Sequence, residues 1–148
     1  MQLTKYTHSS VRLDDGYRTL VLDPGVFSEV AAALDGADAV LITHEHPDHY
    51  LPDHLARTDA PVFTIDAVAA RIRDDAPDVA ERLTVVAPGE SFDPGVPGTA
   101  EGELHAVIHP DLPRFHNSGY LFTLGDTTVF HPGDALTVPD QRVDVLCL

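Results

Sequence analysis

The chain of 148 residues has no tryptophan, one methionine, one lysine and one cysteine. A lone cysteine, Cys147, excludes an internal disulfide framework and makes a reducing compartment, the cytoplasm, the expected location. No apolar run approaches the ~18 residues of a membrane span, so membrane insertion is not expected. The opening Met1-Gln2-Leu3-Thr4-Lys5-Tyr6 carries no basic stretch followed by an apolar one, so no secretory leader is expected either. Positive charge is scarce: 9 Lys and Arg stand against 24 Asp and Glu, a formal charge of −15. Such a field repels phosphate backbones and anionic lipid, which argues against nucleic-acid partners. What is abundant is histidine, with nine residues, eight of them within residues 44–54 and 105–131.

Twelve prolines and ten glycines punctuate the chain into many short elements. Residues 2–7 and 10–13 read as strands, and Asp15-Gly16 marks a hairpin turn before a strand from Arg18 to Leu22. Residues 27–34 read as a short helix. Ala39-Val40-Leu41-Ile42 is an unbroken apolar run, the pattern of a strand buried on both faces. Short helices are expected over 52–58 and over 66–74, the latter capped by Asp66, with strands at 61–65 and 83–86. Residues 93–102 read as loop or weak strand and 104–108 as strand. Gly125-Asp126 joins strands at 119–124 and 127–130, and a last strand covers 143–148. Hairpins, then βα units, then hairpins again predict a single α+β domain over residues 1–148.

The buried run leads straight into His44-Glu45-His46-Pro47-Asp48-His49, an H-x-H-x-D-H pattern. Alternate residues of an extended segment share a side, so His44 and His46 can bind one ion together while Asp48 and His49 turn toward a second. Imidazole with carboxylate suits zinc, and also manganese or iron. The plain reading of a polar loop with chance histidines is outweighed by the density of the cluster and its place after a buried strand.

In this pattern the chain resembles the metallo-β-lactamase superfamily. The hairpin Tyr6-Thr7-His8-Ser9-Ser10-Val11, the strand end Leu22-Asp23-Pro24-Gly25, the strand Gly119-Tyr120-Leu121-Phe122 and the motif Val129-Phe130-His131-Pro132-Gly133-Asp134 are similar, in order, to its lactonase-like branch. That branch includes ascorbate-6-phosphate lactonases and the N-acyl-phosphatidylethanolamine phospholipase type. The resemblance implies an αβ/βα sandwich and a centre of one or two zinc ions. It also implies a metal-held hydroxide attacking a small ester, lactone or phosphodiester. His44, His46, Asp48, His49, a downstream histidine and Asp134 would be the ligands, with Asp134 bridging and Asp48 also orienting the nucleophile. The downstream histidine is His105, with His109 as the alternative four residues along the same expected strand and His116 a third possibility. Asp23 is expected either to hydrogen-bond a ligand imidazole or to serve only the strand-end turn, and His131 to support the ligands without touching metal. His8 and His54 can border the site, but solvation is the expectation for each, and Cys147 is expected to be an apolar packing residue.

The chain departs from the family at its end. Only 14 residues follow Asp134, none of them histidine, whereas the family places its last metal histidine there. The second ion would have Asp48, His49 and Asp134 at most. The expectation is a sandwich lacking its C-terminal part: a fragment of a longer chain, or one that pairs with a second copy. Two other readings stand beside the hydrolase: a metal-binding relative with little or no turnover, and a metal-free interaction module.

Overall fold

The computed structural model describes all residues, 1–148. Two sheets face each other. The first holds six strands in chain order: β1 Gln2–Lys5, β2 Val11–Asp14, β3 Thr19–Leu22, β4 Ala39–Ile42, β5 Val62–Thr64 and β6 Leu83–Val85. Strands β1 to β3 are antiparallel and β3 to β6 parallel. The second sheet runs β11-β10-β9-β8-β7, built from β7 Ser91–Phe92, β8 Gly98–Glu101, β9 Gly119–Leu124, β10 Thr127–His131 and β11 Val145–Leu146. All its pairs are antiparallel except β10 with β11.

Alternation along the strands builds two apolar layers. Leu20, Leu22 and Leu41 point between the sheets, where they meet Tyr120, Phe122 and Val129. Val21, Val40 and Ile42 point the other way. There they meet Leu34 of α1 (Val30–Leu34), Leu55 of α2 (Pro52–Leu55), Val68 and Ile72 of α3 (Asp66–Asp75), and Val79 of α4 (Pro77–Ala80). Strand β4 is buried on both faces, as its apolar run predicts. None of the helices is long and apolar enough to cross a membrane.

Both hairpin signals form turns. Asp15 Oδ1 accepts from the amides of Tyr17 (2.8 Å) and Arg18 (2.7 Å), with Gly16 at φ +90°. Gly125-Asp126 closes β9 onto β10 with Gly125 at φ +61°. Four local expectations are corrected. Residues 104–108 form no strand, only a single bridge from Leu104 to His116, because Phe115 and Asp134 take the neighbouring amides of His105 and Ala106. Residues 98–101, read as loop or weak strand, are the full strand β8, since Gly98 leaves room for the Phe122 ring. Asp66 lies inside the first turn of α3, and the position before it is Ile65 in extended backbone. The final strand is only two residues long.

The sheets are tied at one edge. The Tyr120 hydroxyl donates to the Ile42 carbonyl (2.7 Å), and the Ser118 amide donates to the Thr43 carbonyl (3.2 Å). Both bonds lie where β4 ends and the histidine motif begins. Tyr120→Phe is therefore expected to cost only about 1 kcal/mol, because Thr64 Oγ1 also donates to Ile42. Phe122→Ala should cost about 3–5 kcal/mol by opening a cavity between the sheets. Urea unfolding of both variants checks this ranking, and equal costs would contradict it.

Candidate metal centre

The segment after β4 brings His44 and His46 together, with His44 Nε2 and His46 Nδ1 3.0 Å apart. His105 joins them, its ring 4.9 Å from that of His44 and 4.8 Å from that of His46, centre to centre. Asp134 completes the group: its Oδ2 lies 3.4 Å from His105 Nε2 and 3.9 Å from His44 Nε2. Its other oxygen, Oδ1, lies 3.3 Å from His49 Nε2. His49 Nε2 in turn lies 3.8 Å from Asp48 Oδ2. One carboxylate thus faces two donor groups, one oxygen toward each.

The ring orientations follow from a buried hub. Asp23 is fully buried and accepts four hydrogen bonds. They come from the Thr43 amide (2.8 Å), Thr43 Oγ1 (2.7 Å), His49 Nδ1 (2.8 Å) and His131 Nε2 (2.8 Å). Thr43 spends its one hydroxyl proton on Asp23, so toward His44 Nδ1, 3.0 Å away, it accepts. His44 therefore carries its proton on Nδ1 and offers the Nε2 lone pair to the cluster. His105 is set the same way, by donation from Nδ1 to the Ala106 carbonyl (2.7 Å). The Nε2 atoms of His49 and His105 are buried without any hydrogen-bond partner. Orphaned nitrogens aimed at a shared carboxylate are the donor chemistry a divalent cation takes, so the residues fit a metal ion.

Loop backbone holds the other side. Asn117, fully buried, accepts from the Asp134 amide (3.0 Å) and donates to the Pro132 carbonyl (2.9 Å). Gly133 sits at φ +60°, where a Cβ would strike Asn117 and Thr43. The Ala106 amide donates to the Asp134 carbonyl (2.7 Å), locking the His105 segment to the same turn. Gly25 packs so closely on the Asp48 backbone that no Cβ fits.

The electrostatics favour positive charge. Burial disfavours ionised Asp23, but the charge on His49 and the hydrogen bonds from His131 and His49 outweigh it and hold the carboxyl far below its usual range. Asp134 is also depressed, first by its contact with His49. Burial opposes charge on His49, yet Asp23 and Asp134 raise it to about 10. His44, buried and beside His49, is lowered to about 3 and stays neutral.

Three histidines fall outside the cluster. His109 is exposed and sits 3.8 Å from Asp111. The strand that would have put it on the side of His105 does not form. His116 lines a separate cavity of about 330 Å³ with Ile65 and Val86. His54, expected to be solvated, is partly buried, its Nδ1 2.9 Å from the Pro24 carbonyl, where it steadies the turn after Asp23. Cys147 packs against the core between the sheets, and burial raises its thiol to about 11.

His8, which the sequence placed at most at the border of the site, stands among its donors. Its Nε2 lies 2.6 Å from Asp48 Oδ2, and His8, Asp48 and His49 form a second group of potential donors beside His44, His46, His105 and Asp134. Strand β1 is antiparallel to β2, which is antiparallel to β3, so the tip after β1 falls on the same edge as the end of β3 and the motif after β4.

The beta-lactamase superfamily domain model matches residues 2–148. The chain belongs to the metallo-β-lactamase superfamily. It is 38% identical over 154 residues to Protein Rv0786c of Mycobacterium tuberculosis, covering 99% of this chain and 69% of that one. It is 23% identical to a UPF0173 metal-dependent hydrolase of Shouchella clausii, covering 97% of this chain and 67% of the relative. A solved protein of Parabacteroides distasonis, named for metal-dependent hydrolysis, shares the fold with a TM-score of 0.77 at 20% identity, over 97% of this chain and 67% of that one. The superfamily chain thus spans about two thirds of these relatives.

Two of the three shifted histidines, His44 and His49, set opposite pH limbs for the chelator-treated protein. His44, lowered in the fold, makes stability fall as pH drops from 6.5 toward about 3. His49, raised in the fold, contributes fully below 6.5 and loses that contribution as pH climbs toward about 10. Thermal unfolding should therefore show greatest stability near pH 6.5, with the alkaline limb flattened in His49→Gln. A Tm rising steadily from pH 6.5 to 9 would contradict the assignment.

Proposed function

We propose that this superfamily member is a metal-dependent hydrolase acting on a small ester, lactone or phosphodiester. The observation that carries the reading is Asp134, whose two oxygens lie 3.4 Å from His105 and 3.3 Å from His49. A carboxylate so placed would be shared between two cations if both donor groups held one. His44, His46 and His105 would hold the first ion, and Asp48 and His49 the second, with Asp134 shared. Zinc fits this imidazole-rich set best; manganese and iron take the same donor types. Bound cations would acidify a water and polarise the substrate oxygen.

The chain's own residues do the rest. Asp23 fixes the His49 ring and, through Thr43, the His44 ring, so their donor nitrogens need no reorganisation. Asn117 holds the backbone that carries Asp134. Asp48, partly exposed at the rim, is the carboxylate placed to orient the attacking water and hold its proton. A cleft of about 270 Å³ reaches His49 and Asp134 past Lys5, His8 and Leu148. Its size suits a small substrate, and its single lysine suits one anionic group.

The metal-binding relative without turnover and the metal-free module separate from this reading in one experiment. Protein purified without chelator is expected to carry metal and to hydrolyse an aryl phosphodiester or a simple lactone. Chelation should abolish the reaction and added zinc restore it. His46→Ala and Asp134→Ala should each lower the rate at least about 100-fold. Metal without hydrolysis of either substrate would favour the non-catalytic relative, and full activity after chelation would overturn the proposal.

A further inference from the structure

We propose that His8 is a ligand of the second cation site, completing with Asp48, His49 and Asp134 a four-donor set. The inference rests on the metal-centre reading above and adds to it a residue from the N-terminal hairpin. His8, Asp48 and His49 each offer a donor atom, and the three atoms all lie within 4.8 Å of one another. Donors around a tetrahedral ion with bonds of about 2.0–2.1 Å are separated by about 3.3 Å. His49 Nε2 lies 3.3 Å from Asp134 Oδ1 and 3.8 Å from Asp48 Oδ2. The His8–Asp48 contact, at 2.6 Å, has to open for an ion to enter, and the His8 side chain is half exposed at the rim. His49 Nε2, buried and without a hydrogen-bond partner, points to the same space.

The backbone is built to deliver this ring. His8 has φ +66°, a left-handed conformation that is costly for a residue with a Cβ and that persists only where the surroundings enforce it. They do so from both sides. The Tyr6 amide donates to the Ser10 carbonyl (2.9 Å), closing the turn. Thr7 Oγ1 donates to Glu29 Oε1 (3.1 Å), and Ser9 Oγ donates to the Asp48 carbonyl (2.7 Å). Phe27 packs edge-on against the His8 ring, with centroids 5.3 Å apart. The hairpin tip is thus pinned to the backbone of Asp48, the residue whose side chain His8 meets.

The rival role is a positioning one, in which His8 only hydrogen-bonds Asp48. Titration of the full, metal-stripped chain with cadmium alone, using heavy-nitrogen-labelled histidine, separates the two. The expected result is two bound equivalents, with cadmium–nitrogen coupling at Nε2 of His8 appearing with the second. His8→Asn, which tolerates the left-handed backbone, should keep the first equivalent and bind the second more than about 100-fold more weakly, beyond the about 10–100-fold loss of an orienting partner. Thermal unfolding verifies that this variant is folded. Absence of coupling at His8, or a smaller loss in the variant, overturns the proposal while the centre stands. So does a chain that binds one equivalent through His44, His46 and His105. A chain that binds no cadmium overturns the centre and the proposal together.

Discussion

The buried carboxylate of Asp23 is the constraint on which the site depends. A fully desolvated charge is tolerable only when its oxygens are hydrogen-bonded, and here four donors converge from three places in the chain. Thr43 follows β4, His49 closes the histidine motif, and His131 ends β10 in the other sheet. Moving any of these segments would strand the charge, so the carboxylate acts as a registration point between the sheets. The backbone accepts strain to put it there, with Asp23 at φ +47° and Gly25 pressed against the chain of the motif.

From that hub, order spreads outward through small polar contacts. Asp23 orients His49 directly and His44 through the Thr43 hydroxyl, so one buried anion sets the lone pairs of two neighbouring rings that face different oxygens of Asp134. The second sheet answers with Asn117, which converts the Pro-Gly-Asp turn into a rigid carrier for Asp134. The apolar layers give this edge its stiffness, and the Tyr120 hydroxyl on the Ile42 carbonyl joins the two sheets directly beneath the donor groups. Function on such a scaffold lives in the loops, and the loops are precise because their amides and carbonyls are paired with one another.

Much of the fold was legible because its signals are local. Apolar alternation marks β2, unbroken apolar runs mark β3 and β4, and Asp-Gly and Gly-Asp pairs mark the two hairpins. Signals failed where pairing partners were distant. Residues 98–101 look weak because Gly98 is chosen for the Phe122 ring beside it, and residues 104–108 look like strand although their amides bond to Phe115 and Asp134. The short helix α4 passed unread, since four residues give no periodicity.

The sequence by itself determined the superfamily resemblance, the strand that precedes the histidine motif, and the sharing of one side by His44 and His46, because strand period and residue spacing are properties of neighbours. Only the tertiary structure decided which of His105, His109 and His116 joins them. That choice depends on the Ala106 amide reaching Asp134, a contact 28 residues away along the chain. It also decided that His8 stands against Asp48. A hairpin tip meets a loop 40 residues later only when the sheet has formed and brought both to one edge, and no local pattern encodes that meeting.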